Sequence, residues 1–212
     1  MNCIIRDKQP TPEQERKQHE AGIRSNDKRL KYADRLFALS LHENLGFGRE
    51  RILEVSHAGY EIGRGYIERH TDEGEEAVEY AVNSYYALAR DLRGWGWDPE
   101  RELWNDDVFA SFPWDKNTAS VRRMWADRLE YAKGISFYAR QMLCMGAMHL
   151  REKRGFADIR LERVYAPVRD GYLAMMREYM RCSYDGDRRM EAMFADVRKR
   201  YNALGYFETD YN

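Results

Sequence analysis

Residues 41–55 read LHENLGFGRERILEV, and this stretch decides the predicted fold. An amphipathic segment ends at Gly46-Phe47-Gly48, and a second amphipathic segment leaves it. Because glycine readily adopts the left-handed conformation that ends a helix, Gly46 predicts a corner between two helices. Residues 150–164, LREKRGFADIRLERV, match this stretch without gaps, with six of fifteen positions identical. The match indicates an internal duplication of a helix–turn–helix unit.

We call this alignment, which places position 41 on position 150, the repeat register. The identical positions predict a corner that is built for shape. Apart from an aliphatic residue at each end, they are Glu43, Gly46, Phe47 and Arg51 in the first copy, and Glu152, Gly155, Phe156 and Arg160 in the second. The phenylalanine of each copy can fill the space between the two helices. We expect salt bridges from Glu43 to Arg51 and from Glu152 to Arg160, which would fix geometry more than stability.

The similarity continues beyond the corner after a short slip of the register. Gly59-Tyr60 of the first copy then aligns with Gly171-Tyr172 of the second.

Apolar residues recur every three to four positions along the chain, and no segment alternates with a period of two. The sequence therefore predicts an all-α protein, a helical bundle of about six to seven helices with two tandem three-helix units. The predicted helices cover a short polar segment after Thr11-Pro12, then about 27–45, 49–70, 73–92, 118–153, 158–182 and 187–204. The predicted divisions are an N-terminal polar arm over 1–26, a first unit over 27–92, an aromatic acidic connector over 93–118 and a second unit over 119–212.

The composition predicts a cytoplasmic protein with no membrane partner. The net charge is −1, no apolar run has the length of a signal peptide or a membrane span, and the three cysteines are widely spaced. Reduced thiols are therefore expected. The acidic residues concentrate in residues 71–115, which hold 12 Asp or Glu against 3 Arg.

The connector carries a dense aromatic set that is the main candidate for partner binding: Trp95, Trp97, Trp104, Phe109, Phe112 and Trp114. Buried rings would fill the join between the two units, since tryptophan is usually largely buried. Exposed rings would form a patch for a protein partner, because aromatic residues are frequent interface anchors. The surrounding acidic residues suit a basic partner.

Residues 38–57 resemble the helix-turn-helix motif of phage-type repressors. Gly46 takes the place of the turn glycine, and the apolar positions are filled by Leu41, Leu45, Phe47, Ile52 and Val55. The resemblance implies a DNA-binding regulator that would use Arg49 and Arg51. His42 departs from the small residue of that motif, and Glu50 and Glu54 reduce the positive charge that DNA binding needs. A phosphate cradle at this turn is disfavoured, because the second copy has Asp158 in place of Arg49.

A shorter set of positions resembles uncharacterised helical proteins of bacterial phages and mobile elements: Leu41, His42, Gly46, Phe47, Gly48, Arg51 and Ile52. This resemblance implies an origin and no activity.

No motif of catalysis or cofactor binding is present. Glu54 and His57 have the Glu-x-x-His spacing of di-iron helical bundles, but the second copy offers Arg163 and Ala166 there. The sequence therefore predicts no catalytic, cofactor-binding or metal residue. We expect a non-enzymatic phage or mobile-element accessory protein that binds a macromolecular partner, for example to inhibit a host defence complex. The alternatives are a DNA-binding regulator and an enzyme with an unrecognised site, and the oligomeric state stays open.

Overall fold

The computed structural model of the protein describes residues 12–69, 77–99, 137, 139–181 and 184–205. Over these residues the chain is all-α, with no strand, as the sequence predicts. The helices are α1 (Pro12–Leu45), α2 (Arg49–Arg69), α3 (Ala77–Gly94), α4 (described over 139–154), α5 (Asp158–Arg181) and α6 (Tyr184–Ala203).

The first helix is longer than the sequence predicts. The sequence predicts a helix that starts at about Asp27 with Ser25 or Asn26 as its cap. This prediction is wrong, because α1 runs without interruption from Pro12 to Leu45. Serine, asparagine and aspartate in a helix interior each cost only a fraction of 1 kcal/mol, about 0.5 relative to alanine. Ending the helix there would leave several backbone groups without partners, so continuation is favoured. The predicted limit of the N-terminal arm at residue 26 thus falls inside α1.

The two halves of the chain share one core. Helix α1 packs against α5 and α6 of the second half, and α2 packs against α3. Gly59 of α2 also lies against the backbone of α4 at Met145 and Gly146, 3.5–3.6 Å from an ideal Cβ. The main cluster of buried side chains accordingly joins Leu41 of the first half to Tyr165 of the second. Each half therefore buries its first helix against helices of the other half.

The two Gly-Phe corners have the same backbone geometry. Gly46 has φ 65° and Gly155 has φ 63°, the left-handed conformation that the sequence predicts. In both turns the glycine N–H donates to the carbonyl oxygen four residues earlier, at 2.9 and 3.1 Å. In both, the phenylalanine N–H donates to the carbonyl oxygen six residues earlier, at 3.3 and 3.2 Å.

The repeat extends to the ends of the third helices, α3 and α6. Gly96 and Gly205 coincide in the repeat register and have φ 89° and 84°. In each turn the glycine and the residue before it donate to carbonyl oxygens three residues earlier, at distances between 2.9 and 3.1 Å. The four glycines of positive φ in the described part of the chain therefore form two pairs in one register. Buried positions repeat in the same register: Leu41/Leu150, Ile52/Leu161, Val55/Val164, Leu88/Val197 and Leu92/Tyr201.

Equivalent residues of the two halves also touch each other. Phe37 and Gly146 coincide in the repeat register, and an ideal Cβ on this glycine would lie 2.7 Å from the Phe37 ring. Two further contacts are reciprocal once the slip that aligns Gly59 with Gly171 is allowed, since Gly59 packs on Met145 and Gly171 packs on Leu36, the position equivalent to Met145. Self-contacts and reciprocal contacts are the signature of a twofold arrangement. The two halves are thus related by a pseudo-twofold axis that passes between α1 and α4.

Candidate functional site

The two corners contact each other through their phenylalanines. The ring centroids of Phe47 and Phe156 lie 6.4 Å apart at an interplanar angle of 70°, an edge-to-face contact. Both side chains are buried, at 8% and 7% exposure. Each phenylalanine therefore fills its own corner and also joins it to the other one.

The predicted salt bridges across the corners are wrong. Among the described residues, ion pairs that would join Glu43 to Arg51 or Glu152 to Arg160 do not form. The Arg51 guanidinium instead lies over the Phe47 ring at 5.9 Å, and Arg160 lies over the Phe156 ring at 5.6 Å. The arginine thus faces the quadrupole of the ring beside it.

The carboxylate of the first corner reaches a different helix. Glu43 accepts a hydrogen bond from Arg200 of α6 at 2.5 Å, across 157 residues of sequence. This hydrogen bond is the largest cause of a raised pKa at Arg200.

The corners have side-chain caps at equivalent positions. His42 Nδ1 lies 2.9 Å from the carbonyl oxygen of Phe47, so this nitrogen is the donor. Arg151, the equivalent residue of the second half, donates to the carbonyl oxygen of Phe156 at 3.3 Å. Two different residue types therefore satisfy the same backbone acceptor, which explains the histidine that departs from the repressor motif.

The two side chains of the Glu-x-x-His pair of α2 have different environments. Glu54 pairs with Arg154 of α4 at 2.5 Å, which links the two halves. His57 is exposed. In the described ranges, no three His, Cys, Asp or Glu side chains lie close enough together to hold a metal ion.

The aromatic set divides into a buried and an exposed part. Trp97 is 2% exposed and packs on the Tyr165 ring at 5.1 Å, so it belongs to the join between the halves. Trp95, at the end of α3, is 39% exposed and available at the surface. The other four candidates lie outside the described residues: Trp104, Phe109, Phe112 and Trp114.

Trp95 stands at one end of a cleft of about 780 Å³, which we call the α2–α3 cleft. Its walls include Tyr66 and Arg69 of α2, Asp91 of α3 and Glu152 of α4. The Tyr66 hydroxyl donates to Asp91 Oδ2 at 2.6 Å, and burial together with this bond raises the pKa of the tyrosine. The Arg69 guanidinium lies 4.5 Å from the centre of the Tyr66 ring.

A second cleft of about 480 Å³, the α5–α6 groove, lies between these helices and α1. Glu43 and Arg200 both line it, together with Tyr32. The Tyr32 hydroxyl lies 3.5 Å from the carbonyl oxygen of Gly171, and burial raises the pKa of this tyrosine to about 12.

Exposed apolar side chains concentrate on α2 and α3. Among the residues that the structure describes, four of the five large exposed apolar side chains lie on these helices or just after them: Tyr60, Ile67, Tyr86 and Trp95, with Ile159 on α5 as the fifth. Only Trp95 is a sequence-predicted candidate. Tyr60 and Ile67 were missed, although each directly follows a buried residue of α2, Gly59 or Tyr66.

The DNA-binding candidates are exposed, but the helix that carries them is electrically balanced. Arg49 and Arg51 lie in the first turn of α2. This helix holds four Arg and four Glu, so it offers a DNA backbone no net positive charge.

No protein-family model matches the chain, and neither a curated protein nor a solved structure is significantly similar to it. Among the described helices, none combines the length and the apolar character that crossing a bilayer requires.

Proposed function

We propose that the protein is a non-catalytic accessory protein of a phage or mobile element that binds a protein partner through the outer surface of α2 and α3. One observation supports this most strongly. Helix α5 buries ten of its 24 residues, whereas its pseudo-symmetric counterpart α2 buries five of 21. Within the described residues, the counterpart helices thus differ, and α2 has the larger exposed face.

The tyrosines that follow the matching glycines Gly59 and Gly171 show this difference in exposure. Gly59 and Gly171 pack on equivalent positions of the opposite half, Met145 and Leu36. Tyr172 follows Gly171 and is 4% exposed, within a cluster that includes residues of α1 and α6.

Tyr60, which follows Gly59, is by contrast 67% exposed. Ile67 lies seven residues further along α2, on the same side of the helix, at 38% exposure. Large apolar side chains grouped on one surface are typical of an interaction site.

Tyr86 on α3 and Trp95 just after it add exposed aromatic residues to the same half of the molecule, and aromatic residues are frequent among interface anchors. The protein would act by covering a surface of its partner. Inhibition of a host defence complex is one outcome of such binding. The proposed origin depends on the resemblance of the first corner to phage and mobile-element proteins.

Affinity capture from a bacterial lysate with mass spectrometry tests the proposal. The wild-type chain should retain one or a few proteins that a Tyr60→Ser/Ile67→Ser double variant loses. Ile159→Ser is the matched control, because this isoleucine is 73% exposed on the other half. Equal capture by the double variant and the wild type would refute binding through this surface.

A DNA-binding regulator is the second candidate, and the exposure of Arg49 and Arg51 favours it. Duplex DNA binding that falls steeply with salt in a gel shift, and that weakens in an Arg49→Gln/Arg51→Gln variant, would support it. An enzyme with an unrecognised site is the third candidate. Stoichiometric metal in the purified protein, measured by mass spectrometry, would favour it over both others.

A further inference from the structure

The pseudo-twofold arrangement makes the α5–α6 groove and the α2–α3 cleft equivalent, so that their lining residues can be compared. In the α5–α6 groove, the first helix contributes Glu43 and the third helix contributes Arg200, and their side chains pair at 2.5 Å. In the repeat register, the equivalents of Glu43 and Arg200 are Glu152 of α4 and Asp91 of α3. Both line the α2–α3 cleft. One cleft thus has an acid and a base at these two positions, and the other cleft has two acids.

At the position equivalent to Arg200, the α2–α3 cleft has an acid, Asp91, in place of a base. Asp91 accepts a hydrogen bond from the Tyr66 hydroxyl at 2.6 Å, and it pairs at 3.6 Å with the neighbouring Arg90, which also lines the cleft and is 73% exposed. In the part of the chain that the structure describes, Glu152 takes part in no ion pair. Arg69 also lines the cleft, where it lies over the Tyr66 ring and donates to the carbonyl oxygen of Gly65.

An aromatic ring completes the site. Trp95 lies at the edge of the cleft with 39% of its surface exposed. Its carbonyl oxygen accepts a hydrogen bond from Arg151, which ties the end of α3 to α4. Carboxylates beside an exposed indole suit a guanidinium or ammonium group, because the ring face attracts cations and the carboxylates accept their N–H groups.

We infer that the α2–α3 cleft holds a lysine or arginine side chain of the protein partner, in the position equivalent to that of Arg200 in the α5–α6 groove. This inference deepens the proposed function and rests on it. The cation would lie between Glu152 and Asp91, against Trp95.

The test uses the full chain, labelled with ¹⁵N, and the peptide acetyl-Gly-Gly-Arg-Gly-Gly-amide as the probe. The peptide should shift the Trp95 indole N–H signal in a saturable way, and this signal is identified by its loss in Trp95→Phe. The same peptide with citrulline, which keeps the shape and removes the charge, should give no saturable shift.

Three variants assign the binding to the two acids. Glu152→Gln should weaken the peptide roughly three- to tenfold, the effect of removing one partly exposed charge. Asp91→Arg should abolish binding, because the new arginine would pair with Glu152 as Arg200 pairs with Glu43 in the α5–α6 groove. Asp196→Asn is the control, because this acid lines the α5–α6 groove. If Asp91→Arg fails to fold in thermal unfolding, Glu152→Gln alone decides.

Equal shifts with arginine and citrulline, or unchanged affinity in Glu152→Gln, would overturn the inference. A captured protein partner that binds Glu152→Gln as tightly as the wild type would also overturn it, while leaving the proposed function in place.

Discussion

Phe47 and Phe156, one from each half of the chain, pack edge to face with their ring centroids 6.4 Å apart. Each follows a glycine of nearly the same positive φ and receives an arginine over its ring. The corner is therefore a structural joint used twice, and the two joints form a contact with each other. The proposed function depends on where this symmetry is broken, at the exposed face of α2 and in the α2–α3 cleft.

Alanine at either corner glycine should destabilise the protein to a similar extent. Gly46 and Gly155 have open space around an added Cβ, so the loss comes from the left-handed backbone alone. Gly46→Ala and Gly155→Ala should each lower the free energy of unfolding by about 1–2 kcal/mol in urea denaturation. Gly48→Ala is the control, since it has the same open space without a positive φ. A loss at one corner only would argue against equivalent joints.

The crossing of α1 and α4 should be intolerant of added volume. A Cβ at position 146 would lie 2.7 Å from Phe37 and 3.2 Å from the Tyr165 hydroxyl. Gly146→Ala should lower the free energy of unfolding by about 1–3 kcal/mol, the usual effect of overpacking. Adding Phe37→Leu should recover part of that loss, because it removes the atoms in conflict. Strictly additive losses would show that the ring is not what the new methyl group meets.

The two tryptophans at the end of α3 should behave differently. Trp97→Ala removes a ring that is 2% exposed, and should lower the free energy of unfolding by about 3–5 kcal/mol. Trp95→Ala removes a ring that is 39% exposed, and should cost less than about 1 kcal/mol while weakening partner capture. Thermal unfolding and lysate capture measure the two effects. A large stability loss from Trp95→Ala would place this ring in the core.

His149 should make the protein less stable in mild acid. This side chain is 5% exposed on α4, and burial lowers its pKa below the usual 6.5, with Glu54 opposing the shift. The unfolded chain therefore binds a proton at higher pH than the folded chain, so stability is complete above about pH 6.5 and falls as the pH drops below it. Urea denaturation at pH 7.5 and 5.0 should show this loss, and His149→Gln should reduce it. An unchanged difference in the variant would assign the acid sensitivity to other groups.

The two Gly-Phe corners could be predicted from local features of the sequence. Gly46-Phe47 and Gly155-Phe156 are short, and their turn geometry depends on adjacent residues, so the ungapped alignment of the two stretches revealed them. Gly96 and Gly205 coincide in the same register, but their neighbours differ. The pairing of Glu43 was beyond local prediction, because Arg200 is distant in sequence and only the folded arrangement brings it near.

The interlocking of the halves could not be predicted either. Apolar stripes show which face of a helix is buried, but not which helix covers it. Tyr60 and Tyr172 each follow a glycine that packs on the opposite half, yet one is exposed and the other buried. Their difference depends on tertiary neighbours, and this difference is the basis of the proposed partner surface.

A double-mutant cycle on Phe47 and Phe156 tests most directly whether the two duplicated joints form one paired core. The free energies of unfolding of Phe47→Leu, Phe156→Leu and the double variant would be compared with that of the wild type by urea denaturation. We predict a coupling of about 0.5–1.5 kcal/mol, as for other edge-to-face aromatic pairs. Additive losses, with a coupling below about 0.3 kcal/mol, would contradict the account.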